Sequence, residues 1–398
     1  MPTGLAVLRP RLVGFLTAVS EFDWRLQKKS DLNVARYPPS GGLVLGSAVT
    51  KKRVFMTYDY LADTRIDPRI ARLLAAVPEG GSRDVLSYEE FVGAANSPKN
   101  IAFQEARRRF MDRIDTEEVA SSVGLDITYH ELISQPDGNT VNVQVYRPKG
   151  DEVVPCVYYI HGGGMMFLSA HDGNYKAWFR TIANCGVAVV AIDFRNAVSP
   201  SSVPEVAPFP AGLNDCVSGF RWVVENAERF GIDPNRVVIS GESGGGNLTI
   251  ATTMSFLRSG EVSLIKGVYA LCPYIAGFHP REDLPSSIRN NGISLQLHNN
   301  NGVVGYGEEA YREKNALAWP LFASVEDVAG FPPSVIQVDE CDPLRDEGVA
   351  FYRLLLEAGA TVRCVELLGM THAGELMIWA VPEITRATAA AIANFAAN

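Results

Sequence analysis

From residue 125 onward the chain alternates between short apolar runs and longer stretches whose apolar residues recur every three or four positions. The strand-like runs are Leu125–Ile133, Thr140–Arg147, Val153–Ile160, Val187–Asp193, Arg236–Ser240, Gly267–Cys272, Ser334–Val338 and Val362–Leu367. Helical spacing marks Asn174–Asn184, Ala211–Phe230, Gly244–Arg258, Asp346–Ala358 and Glu375–Phe395. The first two strand-like runs flank Pro136-Asp137-Gly138-Asn139, a turn sequence, and are expected to pair as a hairpin. The later runs are dense in Val, Ile, Tyr and Cys without polar alternation, which suits strands covered on both faces of a parallel sheet. Strand–helix–strand repetition predicts an α/β architecture, a mostly parallel eight-stranded sheet with helices on both faces. In such sheets ligands bind at the carboxyl ends of the strands.

Two segments break the alternation. Residues 1–124 carry helical stretches at Asp67–Ala76 and Ala102–Ile114 but no series of strands. Residues 273–333 form a long insertion, rich in Asn, Gly and Pro, between the sixth and seventh strand-like runs. Long insertions in compact domains are usually lids or binding elements, so both segments are expected to join as a cap over the strand ends.

Composition narrows the function classes. A hydrophobic content of 47% and a charged content of 20% over 398 residues are ordinary for a soluble globular protein. The net charge of −9 argues against nucleic acid or an anionic membrane as a standing partner, since both need a basic face. No apolar run approaches the roughly 20 residues of a membrane span. Arg9 and Arg11 before the mostly apolar stretch Leu12–Ser20 faintly resemble a secretion signal. The acidic Glu21 and Asp23 that follow favour an amphipathic helix instead. Cys156, Cys185, Cys216, Cys272, Cys341 and Cys364 form no C-x-x-C pair and sit mostly in apolar runs. This is the usage of free thiols in a cytoplasmic protein, and no Cys/His spacing suggests a metal.

The chemistry concentrates in three places. Gly241-Glu242-Ser243-Gly244-Gly245 follows a strand-like run and opens a helical one. Residues without a Cβ permit a sharp strand-to-helix turn, which would present the Ser243 hydroxyl beside the free N–H groups of a helix N-terminus. His161-Gly162-Gly163-Gly164 directly follows the third strand-like run, where converging backbone N–H groups can bind an oxyanion. For a base downstream of Ser243 the chain offers only His279, His298 and His372. His372, in a small-residue loop after the last strand-like run, has the expected position for a triad histidine. The acid is sought after the seventh run, where Asp339 is expected to end the strand and Asp346 and Glu347 to open a helix. Asp342, in the loop proper beside Pro343, is the favoured partner for His372 Nδ1, and Asp339 the alternative.

HGGG, GESGGGNL, DPLRDEG and the downstream His372, in this order, resemble the hormone-sensitive-lipase-like family of α/β-hydrolase esterases over residues 125–396. Asp193-Phe194-Arg195-Asn196-Ala197 and the run Trp319–Ser324 add to the likeness. The resemblance implies Ser243, Asp342 and His372 as the triad. It implies Gly163, Gly164 and Gly244 N–H groups as the oxyanion hole, and an N-terminal helical cap. Residues 1–124 then read as the cap region, and 125–398 as an α/β-hydrolase catalytic domain with a cap insertion at 273–333. Many members carry GDSAGG at the elbow and His-Gly after the last strand; Glu242, Gly244 and Ala373 depart from those forms.

The implied activity is carboxylesterase action on short-to-medium esters through an acyl-enzyme, with no metal or organic cofactor. The implied partners are a small-molecule ester and, by resemblance, a second copy in a homodimer. Asp193 and Arg195 are read as structural ion pairing near the site. Amide or lactone hydrolysis on the same triad remains an alternative. A non-catalytic small-molecule receptor is disfavoured, because plant receptors resembling this family lack the triad histidine. A membrane-active lipase is disfavoured by the acidic charge and the missing basic amphipathic anchor.

Overall fold

The apolar runs assemble into one eight-stranded sheet in the order β1-β2-β4-β3-β5-β6-β7-β8. This is the arrangement in a computed structural model, which describes residues 58–76 and 83–398. The strands are β1 Leu125–Ile133, β2 Thr140–Pro148, β3 Val154–Ile160, β4 Ala188–Asp193, β5 Ile232–Glu242, β6 Gly267–Leu271, β7 Ser334–Asp339 and β8 Val362–Leu367. β1 and β2 form the hairpin, β2 runs antiparallel to β4, and β3 through β8 are parallel. The segment Leu12–Ser20 lies outside the described residues.

β3 shows why the central runs lack polar alternation. All its residues are buried, but they serve two cores. Cys156, Tyr158 and Ile160 pack with Phe220, Met254 and Phe256 on one face. Val157 and Tyr159 pack with Trp178, Phe179 and Ile392 on the other. Helices cover both layers: α4 Gly173–Ala183, α5 Ala211–Glu225, α6 Gly244–Ser259, α10 Arg345–Glu357 and α11 Pro382–Ala397.

Two helical expectations are corrected. Ala211–Phe230 ends as an α-helix at Glu225 and continues only as the 3₁₀ turn Glu228–Phe230, closed by left-handed Gly231. Glu375–Phe395 is not one helix. A 3₁₀ turn at Gly374–Leu376 precedes α11, which starts afresh at Pro382. Proline at the first helical position lacks the N–H that an upstream carbonyl would need, so the two pieces cannot run on.

The described part of the first 124 residues holds α1 Pro68–Ala75, α2 Tyr88–Ala95 and α3 Pro98–Ile114. Asp67, Ser87 and Ser97 cap them by accepting from backbone N–H groups of the first turn, as short oxygen-bearing side chains do. Residues 273–333 hold the short helices α7 Ser286–Arg289, α8 Asn301–Tyr306 and α9 Glu308–Arg312. The two segments meet. Val85 N–H donates to Asn300 Oδ1 at 2.8 Å, and Asn300 Nδ2 donates to Val85 O at 2.7 Å. The hydroxyl of Tyr88 and the amide of Asn96 donate to the carbonyls of Ala197 and Val198, beyond β4.

Candidate active site

Ser243 stands between the last residue of β5 and the first of α6, with φ 57° and ψ −119°. This is a strained backbone for a residue with a Cβ, and such strain persists only where the surroundings fix it. Gly241 and Gly245 make the turn possible. A Cβ on Gly245 would lie 2.0 Å from the Ile160 carbonyl oxygen, and one on Gly241 2.5 Å from the same atom. Ser243 N–H donates to Leu271 O, while Asn247 and Tyr274 N–H donate to Ser243 O, each at 3.0 Å. The elbow is thereby tied into β6 and α6 on both sides.

Ser243 Oγ lies 2.8 Å from His372 Nε2, and His372 Nδ1 lies 2.8 Å from Asp342 Oδ2. The other Asp342 oxygen accepts from Leu344 N–H at 2.8 Å, and the loop is held by Asn290 Nδ2 on the Asp342 carbonyl at 3.0 Å. Asp342 is wholly buried and His372 nearly so. Burial works against a charge on His372, but the Asp342 carboxylate outweighs it and leaves the imidazole above the ordinary histidine range. The remaining candidates go elsewhere. His279 pairs with Glu347 at 2.9 Å, and His298 bonds the Ser287 carbonyl at 2.8 Å. Asp339 ends β7 and accepts from Ala373 N–H at 3.0 Å.

The glycine loop after β3 folds over the start of α6. Gly163 and Gly164 have φ 103° and 64°, and a Cβ on Gly244 would sit 2.6 Å from the Gly164 nitrogen and 2.5 Å from that of Met165. Only backbone approaches backbone here, which brings the amides of the loop and of the helix start together beside Ser243. Two side chains fix the loop. His161 Nδ1 meets the Gly162 carbonyl at 2.9 Å, and in a trans peptide this turns the Gly163 N–H to the opposite side. Gly162 N–H donates to Glu242 Oε1 at 2.6 Å.

The sequence marks Glu242 only as a departure from the GDSAGG form and gives it no role. It is buried, and it also accepts from the hydroxyls of Tyr175 and Tyr159, at 2.5 and 2.7 Å. Burial pushes its pKa up, against the lowering effect of these donors. The available signal was an acidic residue ending an otherwise apolar run, in a strand that must neighbour the one carrying His161.

Asp193 and Arg195 do not pair with each other. Asp193 accepts from Ala170 and Ser202 N–H groups, both at 2.7 Å, and faces His161 Nε2 at 3.4 Å. Against the upward push of burial, His161 holds Asp193 below the usual carboxylate range. Arg195 instead bridges Asp215 and Asp137 at 2.9 and 2.6 Å. Among the described residues, Cys272–Asp342–His372 and Cys272–Asp339–Glu375 each bring three potential metal-ligand atoms within 4.8 Å. The first shares Asp342 and His372 with the hydrogen-bond chain, and the second is wholly buried.

A model of an α/β-hydrolase-fold family matches residues 157–375. An ethyl acetate hydrolase of Pseudomonas putida is 28% identical over 306 residues, covering 73% of this chain and 90% of its own. The solved structure of esterase Est22 is 53% identical with a TM-score of 0.82, covering 85% of this chain and 99% of its own. Brefeldin A esterase, described as a bacterial homologue of human hormone-sensitive lipase, is 31% identical with a TM-score of 0.75, covering 86% and 96%.

Proposed function

We propose, for a chain that belongs to the hormone-sensitive-lipase-like family of α/β-hydrolase esterases and is a serine carboxylic ester hydrolase, a mechanism run by Ser243, His372 and Asp342. His372 Nε2 takes the proton of Ser243 Oγ as that oxygen adds to the ester carbonyl. The N–H groups of Gly163, Gly164 and Gly244 donate to the oxygen that gains charge. Collapse of the tetrahedral intermediate expels the alkoxide, which receives the proton from His372 Nε2 and leaves Ser243 acylated. Water, deprotonated by the same imidazole, releases the acid and restores the serine. Asp342 keeps the imidazole in the tautomer with hydrogen on Nδ1 and stabilises its cation. The observation that carries this reading is the pair of 2.8 Å contacts from Ser243 through His372 to Asp342.

Residues 83–97 and the insertion 273–333 act as the cap that sets substrate size. Phe91 of α2 meets Phe167 edge-on with centroids 5.9 Å apart, and a Cβ on Gly305 of α8 would fall 2.5 Å from Met166 Sδ. Both cap segments therefore close on the residues directly after the glycine loop. Small acyl groups suit such a crowded mouth, in keeping with the ethyl acetate that names the Pseudomonas relative.

Hydrolysis of p-nitrophenyl acetate and butyrate tests the reading. The wild type turns both over and Ser243→Ala falls to background; unchanged turnover in Ser243→Ala removes Ser243 as nucleophile. A lactone and an anilide in the same series define whether ring-closed esters or amides are also cleaved.

A further inference from the structure

Behind His372 lie two carboxylates that the mechanism above leaves idle. Asp339 closes β7 and Glu375 sits in the turn Gly374–Leu376; both are wholly buried. Each has one oxygen anchored. Asp339 Oδ2 accepts from Ala373 N–H at 3.0 Å. Glu375 Oε1 accepts from Gln337 Nε2 at 3.1 Å, and Gln337 Oε1 accepts from the Tyr269 hydroxyl at 2.9 Å. The other two oxygens, Asp339 Oδ1 and Glu375 Oε2, are buried without a donor. Carboxylate atoms of the pair lie within 4.8 Å of each other and of Cys272 Sγ.

Two carboxylates this close in a protein interior resist ionising together until the pH is raised, because each charge lacks solvent and repels the other. We propose that Asp339 and Glu375 share one proton, and that this O–H···O link is a positioning device that fastens the His372 loop to the end of β7. The loop needs such a fastening. Ala373, directly after His372, has φ 53°, a left-handed backbone that a residue with a Cβ adopts at a cost. Its N–H is the one held by Asp339, and Glu375 is two residues further on. With the proton in place, β7 grips the loop from both sides and the imidazole stays aligned between Asp342 and Ser243.

The groups facing the pair are Glu242 from β5, Tyr269 from β6, Cys272 directly after β6, Asp342 from the loop after β7, and His372 from the loop that carries Glu375. Among these only His372 can carry a positive charge, and the nearby anions all oppose ionisation of the dyad. Burial pushes Glu375 up to about 7, and burial together with the charges of Glu375 and Asp342 raises Asp339 well above its usual range. For carboxyls raised in the folded state, the protonated link is intact at low pH and is lost as pH rises through the folded value. The proton then leaves to water, two like charges face each other, and the His372 loop loosens.

The inference rests on His372 as the base, so its test includes a readout independent of turnover. Glu375→Gln places an amide N–H against Asp339 at every pH. The expected result is a pH profile of kcat/KM in which the alkaline limb of the wild type is absent. A folded Glu375→Gln whose profile superimposes on the wild type overturns the positioning role. Isotope-edited difference infrared spectroscopy reads the shared proton directly, on the catalytically silent Ser243→Ala as well as on the wild type. A protonated-carboxyl carbonyl band present at neutral pH, retained in Glu242→Gln and lost on raising the pH supports the dyad; its absence, or its loss in Glu242→Gln, overturns it even if no Glu375 variant folds. Failure of the catalytic reading looks different: Ser243→Ala would keep its activity while the band persisted.

Discussion

The Glu242 carboxylate accepts the Gly162 backbone N–H at 2.6 Å, joining the residue before Ser243 to the glycine loop after β3. Ser243 and the loop are thereby held in one frame, with the Tyr159 and Tyr175 hydroxyls completing the carboxylate's shell. Glu242→Ala is expected to orphan these buried donors at about 1–3 kcal/mol each, seen as a lowered Tm. Glu242→Gln keeps the acceptor oxygen and the volume. Its expected signature is a fall in kcat on p-nitrophenyl butyrate with KM little changed, since a misaligned loop harms the transition state more than the bound ester. A wild-type kcat in Glu242→Ala would remove Glu242 from the positioning of the loop.

Asp342 and Asp339 stand three residues apart at the same strand end but face different partners. Asp342→Asn leaves the shape and takes away the acceptor that fixes the imidazole tautomer, so kcat is expected to drop by about 10⁴. Asp339→Asn breaks no contact to His372 itself and is expected to lose far less. Steady-state kinetics of the two variants side by side decide between them, and equal losses would contradict the assignment of Asp342.

How far this was legible in the sequence follows from which interactions are local. The central strands were legible as apolar runs and the outer ones as short β-rich runs between turns, and β1 and β8 match their expected limits to the residue. Gly241, Gly244 and Gly245 announced the elbow because the turn itself excludes a Cβ. The break between Glu375 and Pro382 was missed because helical apolar spacing persists across it, although Pro382 marks the restart. The ion pairing expected of Asp193 holds, with His161 as its partner, whereas Glu242 and the Asp339–Glu375 pair were unread for one reason. Their partners lie on neighbouring strands and loops, and only the parallel pairing of β3 with β5 and the close of β7 against the last loop bring them together. Burial of an acidic residue is a property of that assembly, not of its flanking sequence.

The acid limb of the pH profile should report His372. Its imidazole must be neutral to accept the Ser243 proton, and Asp342 raises its pKa against the pull of burial. Activity is therefore present above the folded-state value and lost as pH falls through it. The midpoint of the acid limb of kcat/KM is expected above the ordinary histidine value of about 6.5. A midpoint below that value would mean burial dominates, and the ion pair is weaker than its 2.8 Å geometry implies.

Gly244 is the position where the start of α6 meets the glycine loop. Its missing Cβ lets the α6 start lie against the loop, with the Gly164 and Met165 nitrogens 2.6 and 2.5 Å from where that atom would be. Both obstacles are backbone, so no side chain can swing aside, and Gly244→Ala must push the loop away from Ser243. Neither Ser243–His372 nor His372–Asp342 passes through this contact, so the triad hydrogen bonds should survive. The damage should fall on oxyanion stabilisation, and losing one such donor typically costs about 10²–10³ in kcat. Acylation by a stoichiometric fluorophosphonate, followed by mass spectrometry, should slow by a similar factor. Wild-type kcat in Gly244→Ala would show that the loop moves as a body and that the close approach, rather than glycine itself, is what the chemistry needs.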